Sequence, residues 1–393
     1  MSDTKCHFAF NGITIYDTEG STEPCCLIKS QNPGSINQDI NTIINHNKFV
    51  EIRRSMLNGE QHPACKVCWD IEKYGGKSMR SLGDTYYETL HRKKTNFSEH
   101  VNPLDMRHMD IFMGNKCNLA CRMCGSQCSS LMNQQEKLIN KHHNVPDSIL
   151  SEETKTNILK YIDQCENIST LHLYGGEPLV IDFHDELCKH LINSGRAKNI
   201  TLMLSTNLQV DVEKKMELHE HFKSLRIGIS IDGEGKTYEY IRWPGHYEKL
   251  QRNLLKLKKL KEENPKFLEL SITTVVQNLN VDNLYYFIKD MEKLEVVPIE
   301  EIYYVQVRDK NLIHILPSWV IESSLEKLSQ LNVNDGLKNM LLNGLEMSKH
   351  LKDKDILNFL DKQYLLDGIR EQNLFLRKPH FKELADRVGI KPW

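Results

Sequence analysis

Between residues 107 and 307 the sequence alternates six times between a short, apolar, strand-like run and a longer segment with helical spacing. Strands are predicted near 107–113, 168–174, 199–206, 225–231, 268–276 and 301–307, with helices near 129–143, 151–165, 182–194, 211–222, 246–263 and 281–295. Strands that alternate with helices pair in parallel through right-handed crossovers, because each helix must return the chain to the same end of the sheet. An α/β fold of six βα units follows. In parallel barrels the working groups collect at the C-terminal ends of the strands.

The chemistry-bearing residues fall at those ends. The first strand carries Met109, Ile111, Phe112 and Met113, ends at Gly114, and runs into Asn115-Lys116-Cys117-Asn118-Leu119-Ala120-Cys121-Arg122-Met123-Cys124. A tetrahedral zinc site normally draws a fourth ligand from close by, whereas three thiolates on a short loop can converge on an iron–sulfur cluster and leave one iron open for chemistry. Cysteines packed merely as small hydrophobes fit poorly beside Asn118, Lys116 and Arg122. Further strand ends present Tyr174-Gly175-Gly176-Glu177-Pro178, Ser205-Thr206-Asn207, Ser230-Ile231-Asp232-Gly233 and Thr273-Thr274-Val275-Val276.

The C-x3-C-x2-C loop, with the Gly-Gly-Glu-Pro strand end about fifty residues later, resembles the radical S-adenosylmethionine (SAM) superfamily. The resemblance implies a partial (β/α)6 TIM-like barrel over residues 107–310 in which Cys117, Cys121 and Cys124 hold a 4Fe-4S cluster whose open iron chelates SAM. It places Gly175, Gly176, Glu177 and Pro178 at the SAM amino group and Ser205 and Asn207 on the SAM-binding face. Ser230 and Asp232 are then expected near the ribose and Arg242 near the carboxylate, as suits an acceptor for hydroxyls and a charged fork for a carboxylate. Turn-forming Ser and Asn residues and a solvated loop arginine are the plain alternatives.

Residues 1–80 form a small cysteine-rich module with Cys6, the pair Cys25-Cys26 and Cys65-Lys66-Val67-Cys68. The 8–16 run is predicted as a strand, and Asp17-Thr18-Glu19-Gly20 as the turn of a hairpin that brings Cys6 towards Cys25 and Cys26. A helix is expected over 36–57, stopped before the C-x2-C pair. A module this small needs a metal staple. Cys6, the Cys-Cys pair, Pro63-Ala64-Cys65-Lys66-Val67-Cys68-Trp69 and Tyr74-Gly75-Gly76-Lys77-Ser78 resemble the twitch domain, the half-sized relative of the SPASM domain. That resemblance implies an auxiliary iron–sulfur cluster on Cys6, Cys25, Cys65 and Cys68, with Cys26 able to replace Cys25 and zinc as the alternative metal.

Residues 81–106 read as a linker, and residues 311–393 as a helical cap with helices expected over 319–331, 335–351, 355–372 and 378–388. Cys165 and Cys188 sit among apolar neighbours as core residues, Cys128 opens a helix, and His142-His143 and His219-Glu220-His221 read as solvated helix faces. Eleven cysteines with ligand-like spacing in 393 residues indicate metal binding in a reducing compartment rather than a disulfide framework. The balance of 26% charged residues and net charge -2 indicates a soluble protein and gives no basis for nonspecific nucleic-acid binding. No apolar run reaches the ~18 residues of a membrane span, and the start Met1-Ser2-Asp3-Thr4-Lys5 lacks a signal's apolar core, so a cytoplasmic location is expected.

By the resemblance, an electron from a donor such as flavodoxin or ferredoxin enters the cluster and cleaves SAM to methionine and a 5′-deoxyadenosyl radical, which takes hydrogen from a substrate. A peptide or protein is the favoured substrate, and a nucleotide or carbohydrate the alternative. A non-catalytic iron–sulfur or zinc scaffold is the reading from outside the enzyme class.

Overall fold

Alternation along the strands sets the layers. In Leu268–Val276 the even-numbered residues Leu268, Leu270, Ile272, Thr274 and Val276 are buried, and the residues between them face a less enclosed side. The computed structural model describes residues 4–28, 34–73, 78–81, 83, 95, 97–140, 142–307 and 311–393. The chain divides into two compact units that interleave in sequence. Met1–Lys116, Ser148–Ser205 and Glu213–Arg226 make up the first, and Cys117–Asp147, Thr206–Val212 and Ile227–Trp393 the second.

In the first unit the strand order is β3-β2-β1-β4-β5-β6, with β1 Gly12–Ile15, β2 Ser21–Glu23, β3 Gly34–Ser35, β4 His108–Phe112, β5 Thr170–Tyr174 and β6 Thr201–Thr206. Strands β4, β5 and β6 pair in parallel, with Met109 opposite Leu171 and Leu171 opposite Leu202. The expected hairpin joins β1 to β2, and its turn is held by the Asp17 carboxylate, which accepts from the Glu19 and Ser21 amides at 3.1 and 2.9 Å. Strand β1 also pairs in parallel with β4, so the sheet runs on into the cysteine-rich segment.

The strand expected over 8–16 begins only at Gly12, because His7–Asn11 is a helical turn. Phe8, Ala9 and Phe10 all pack into one apolar cluster with Ile52, Met56 and Trp69, and a strand would have sent alternate side chains to opposite faces. The helices Glu152–Gln164, Asp182–Asn193 and Glu213–His219 return the chain between strands; the first is capped by Ser151, whose hydroxyl accepts from the Thr154 amide at 3.0 Å.

The second unit holds the later half of β7 Ser224–Ser230, with β8 Leu268–Val276 and β9 Ile302–Gln306 in the order β7-β8-β9. Strands β8 and β9 are parallel, with Ile272 opposite Ile302. Ser130–Ile139, Gly235–Ile241, Tyr247–Glu263 and Leu284–Leu294 are its crossover helices, followed by Ser318–Leu328, Asp335–Ser348 and Asp353–Arg370. The final predicted helix, 378–388, begins only at Phe381, and a short extra helix precedes it. Leu374–Arg377 and Phe381–Arg387 are separate because Lys378 turns inward, where its buried ammonium donates to Asp282 at 2.8 Å and Thr237 at 3.0 Å, and Pro379 follows. Among the described residues no helix is long and apolar enough to cross a membrane.

Candidate active site: the cysteine loop and the strand ends

The cysteine loop is held by its backbone. Within the second unit the Ala120 amide donates to the Trp243 carbonyl at 2.7 Å and the Arg122 amide to the Ile241 carbonyl at 2.8 Å, so the loop pairs with the Tyr240-Ile241-Arg242-Trp243 segment. Ser129 caps the following helix at the Met132 amide and donates its hydroxyl to the Leu119 carbonyl at 2.6 Å. Cys121 is buried, and Cys117 and Cys124 are half-buried. Cys128, one turn further on, is exposed.

Nitrogen donors surround the sulfurs. The Leu119 amide lies 3.4 Å from Cys117 Sγ, Asn207 Nδ2 lies 3.8 Å from the same sulfur, and Arg242 Nη1 lies 3.9 Å from Cys121 Sγ. A hydrogen bond from the Cys124 thiol lowers the Cys121 thiol below its ordinary range against the effect of burial, and the Arg242 charge adds to it. Such contacts favour thiolate at Cys121, while the same hydrogen bond and burial hold Cys124 as the thiol.

Asp232 and Arg242 were expected at a ribose and at a carboxylate. In the structure they meet each other: Arg242 Nε is 2.8 Å from Asp232 Oδ2, and both side chains are buried. Asp232 Oδ1 accepts from the Val275 amide at 2.7 Å. Burial disfavours the Arg242 cation, but the Asp232 carboxylate outweighs it and holds the guanidinium above its ordinary range. Burial pulls Asp232 towards the neutral acid, and the 2.8 Å contact decides for an ion pair. Arg242 is thereby aimed at Cys121. Asn207 is likewise braced, donating to Asn118 Oδ1 at 2.8 Å and accepting from the Gln209 amide at 2.9 Å. Ser230 is half-buried at the end of β7.

Arg122, counted in the sequence among poor core neighbours for the cysteines, is fully buried. Its guanidinium donates to the Tyr240 carbonyl at 2.9 Å, to Gln363 and Asp367 at 2.5 Å each and to Gln372 at 2.7 Å, and stacks 3.6 Å from the Tyr240 ring centroid. Arg370 donates to the Ala120 carbonyl at 2.8 Å. The Asp353–Arg370 helix is thus fastened onto the cysteine loop by two arginines, one from each side of the contact.

In the first unit the β5 strand end is shaped by close backbone approach. Gly176 donates to the Gly114 carbonyl at 2.7 Å and Glu177 to the Lys116 carbonyl at 2.9 Å. A Cβ at Gly176 would lie 2.2 Å from the Lys116 carbonyl oxygen, and Gly175 has φ +130°, so both positions require glycine. Glu177 is buried and caps the short turn Pro178–Val180, its Oε1 accepting from the Leu179 amide at 3.2 Å. Ser205 meets His172 Nε2 at 2.9 Å, and His172 Nδ1 meets Asp110 Oδ1 at 3.0 Å. Thr14 and His108 complete the ring around Asp110, at 2.7 and 2.8 Å. Burial alone would raise the Asp110 carboxyl, but His108 and His172 keep it well below the usual carboxylate range. This network escaped the sequence reading, and period-two placement of His108, Asp110 and His172 was its only signal.

Residues 111–290 match the family model for the radical SAM superfamily. That segment resembles a radical SAM domain and makes up under half of the chain. The chain is also similar to native anSMEcpe with bound AdoMet, at 18% identity over 61% of this chain and 62% of that one with TM-score 0.41. It is similar to Streptococcus suis SuiB bound to S-adenosylmethionine, at 14% identity over 78% and 68% with TM-score 0.40. The chain spans about three fifths of the length of the first of these. The sequence matches no curated protein.

A radical SAM domain implies a 4Fe-4S cluster and SAM, and the residues fit both. Three thiols share one loop with N–H donors on two of the sulfurs, and the glycine strand end packs backbone to backbone against the Gly114–Lys116 segment that leads into that loop.

The N-terminal thiols also gather. Cys6, Cys25, Cys65 and Cys68 line one cavity with Phe8 and Met56. Burial pushes the Cys6 thiol up to about 11 and Cys65 up to about 12, and a hydrogen bond with Cys26 raises Cys25. Cys25 of the Cys25-Cys26 pair lines this cavity, as expected from the hairpin, whereas Tyr74-Gly75-Gly76-Lys77 falls outside the described residues.

Proposed function

We propose that the protein is a radical SAM enzyme that cleaves SAM reductively on Cys117, Cys121 and Cys124 and takes hydrogen from a peptide or protein substrate. The observation that carries the reading is the C-x3-C-x2-C loop with its N–H donors at Cys117 and Cys121. When bound, the cluster supplies the electron that splits SAM into methionine and the 5′-deoxyadenosyl radical. Arg242, fixed by Asp232, offsets thiolate charge at Cys121, while Asn207 does so at Cys117. Gly175, Gly176, Glu177 and Pro178 offer backbone carbonyls to the SAM amino group, the Gly176 and Glu177 amides being already bonded; Ser205 stands on the SAM-binding face and Ser230 at a strand end near the ribose. A flavodoxin or ferredoxin is the proposed electron donor. The peptide preference rests on the resemblance of the N-terminal module to the twitch domain.

The test is 5′-deoxyadenosine release by anaerobically reconstituted protein with dithionite and SAM, with Cys121→Ala as the blank. Release by the parent alone supports the reading. An iron-replete parent that neither releases 5′-deoxyadenosine nor binds SAM sinks it in favour of the scaffold.

We also propose an auxiliary iron–sulfur cluster on Cys6, Cys25, Cys65 and Cys68 in the N-terminal module. Cys65→Ala is expected to lower iron per chain towards half while leaving SAM binding in place; undiminished iron with lost zinc would make this a zinc site instead. Asn207→Ala is expected to keep the iron but shift the cluster's midpoint potential downward, because hydrogen bonds to sulfur stabilise the reduced, more negative state. An EPR-monitored redox titration reads the shift, and an unmoved potential removes Asn207 from the role.

A further inference from the structure

We infer that His184, Cys188 and His219 form a buried binding site for a single cation of the zinc class, separate from any iron–sulfur centre. The site lies wholly within the first unit and uses no residue of the cysteine loop or the N-terminal module.

Four-residue spacing on the Asp182–Asn193 helix puts His184 and Cys188 on one face. His219 ends the helix Glu213–His219 and turns inward. The expectation of a solvated His219-Glu220-His221 face therefore fails at its first residue: His219 is 1% exposed, while Glu220 and His221 are exposed. His184 and Cys188 are fully buried. The pair of Nε2 atoms is separated by 3.0 Å, Cys188 Sγ lies 4.0 Å from His184 Nε2, and all three donor atoms lie within 4.8 Å of one another. Ligands about 2.0 Å (N) and 2.3 Å (S) from a tetrahedral zinc stand roughly 3.3–3.7 Å apart, so the spacing here brackets that of a mononuclear site.

The surroundings of His184 point the same way. Its Nδ1 lies 2.7 Å from Asp185 Oδ1, and Lys215 Nζ lies 2.6 Å from the same oxygen. A carboxylate on the far ring nitrogen fixes the tautomer and directs the lone pair of Nε2 inward, as it does for metal-ligating histidines. That single lone pair is faced by both His219 Nε2 and Cys188 Sγ. An imidazole–imidazole hydrogen bond alone accounts for the first contact and leaves the thiol without a role. A cation replaces the competing protons and takes all three donors at once, displacing a proton from Cys188 to solvent. It would staple together the helices that follow β5 and β6.

The test uses the full chain with its iron–sulfur centres reconstituted, stripped of loosely held metal and titrated with Co(II) and then Zn(II). One equivalent of Co(II) is expected to give a thiolate charge-transfer band and tetrahedral d–d bands, both displaced by Zn(II), with a raised Tm. Cys188→Ala and His219→Gln are each expected to abolish the bands at unchanged iron content. Bands that persist in both variants, or a parent that binds neither ion, overturn the inference. If either variant fails to fold, zinc X-ray absorption of the parent decides: two nitrogens and one sulfur support the site, and an all-sulfur shell refutes it.

Discussion

Replacing Asp367 with alanine is expected to destabilise the second unit by about 3–5 kcal/mol, the range for removing one partner of a buried ion pair. The Arg122 guanidinium and the Asp367 carboxylate are 0% and 1% exposed, so the charge left behind has no water to return to. Asp367 carries four contacts. Oδ1 takes Arg122 at 2.5 Å and the Tyr240 hydroxyl at 3.0 Å, while Oδ2 takes the Leu374 amide at 2.6 Å and Trp393 Nε1 at 3.1 Å. The substitution also removes one tie between the Asp353–Arg370 helix and the end of the chain, where Trp393 still packs against Tyr364. Gln363 and Gln372 still bond Arg122 but bring no charge, so they soften the loss without cancelling it. Urea unfolding of the parent, Asp367→Ala and Asp367→Asn measures the effect, with the asparagine variant expected in between because it keeps an acceptor. A loss under about 1 kcal/mol, the scale of an exposed pair, would show that the charge is not what the network holds. Since Arg122 sits between Cys121 and Cys124, iron retention is expected to fall in the same order as stability.

These residues also show where sequence reading ends. Strands β7 and β8 were legible because burial along them repeats with period two, whereas β4 is buried throughout and was legible only as a short apolar run ending at Gly114. The cysteine loop and the glycine strand end were legible because their chemistry is local: spacing alone gathers the thiols, and backbone contact alone demands glycine. Arg122 was not, since its acceptors Gln363 and Asp367 lie 241 and 245 residues away and nothing near an arginine in sequence announces a carboxylate from so far along the chain. The same distance hid His219, whose inward turn depends on a partner 35 residues earlier. Asp232 stands at a strand end and Arg242 just past the helix that follows it, but a motif cannot say whether two charges ten positions apart reach for a ligand or for each other. The opening of the chain misled for a different reason. Phe8 and Phe10 alternate like a strand, yet every side of that segment is enclosed, and alternation is informative only when one face is open.

Gly176→Ala is expected to lower 5′-deoxyadenosine release by about a hundredfold, the scale for a reacting group moved by about 1 Å. The argument is steric, because Gly176 has no positive φ to forbid a side chain. Its Cβ would stand 2.2 Å from the Lys116 carbonyl oxygen, 2.7 Å from the Lys116 carbonyl carbon and 2.8 Å from that of Asn115. All three are backbone atoms immediately before Cys117, and none can swing aside as a side chain would. Nor can the strand end yield freely, since the Gly176 and Glu177 amides are tied to the Gly114 and Lys116 carbonyls at 2.7 and 2.9 Å. The β4 and β5 end loops must separate, and overpacking of this kind costs about 1–3 kcal/mol. Gly195→Ala is the matched control: it has φ +70° but open space around it, so a cost of about 1 kcal/mol from backbone strain is expected with full SAM cleavage. Iron content and SAM binding separate the ways Gly176→Ala can fail. Retained iron with weakened SAM binding assigns the strand end to SAM, loss of iron assigns it to support of the cysteine loop, and parent-like turnover would remove Gly176 from the active site altogether.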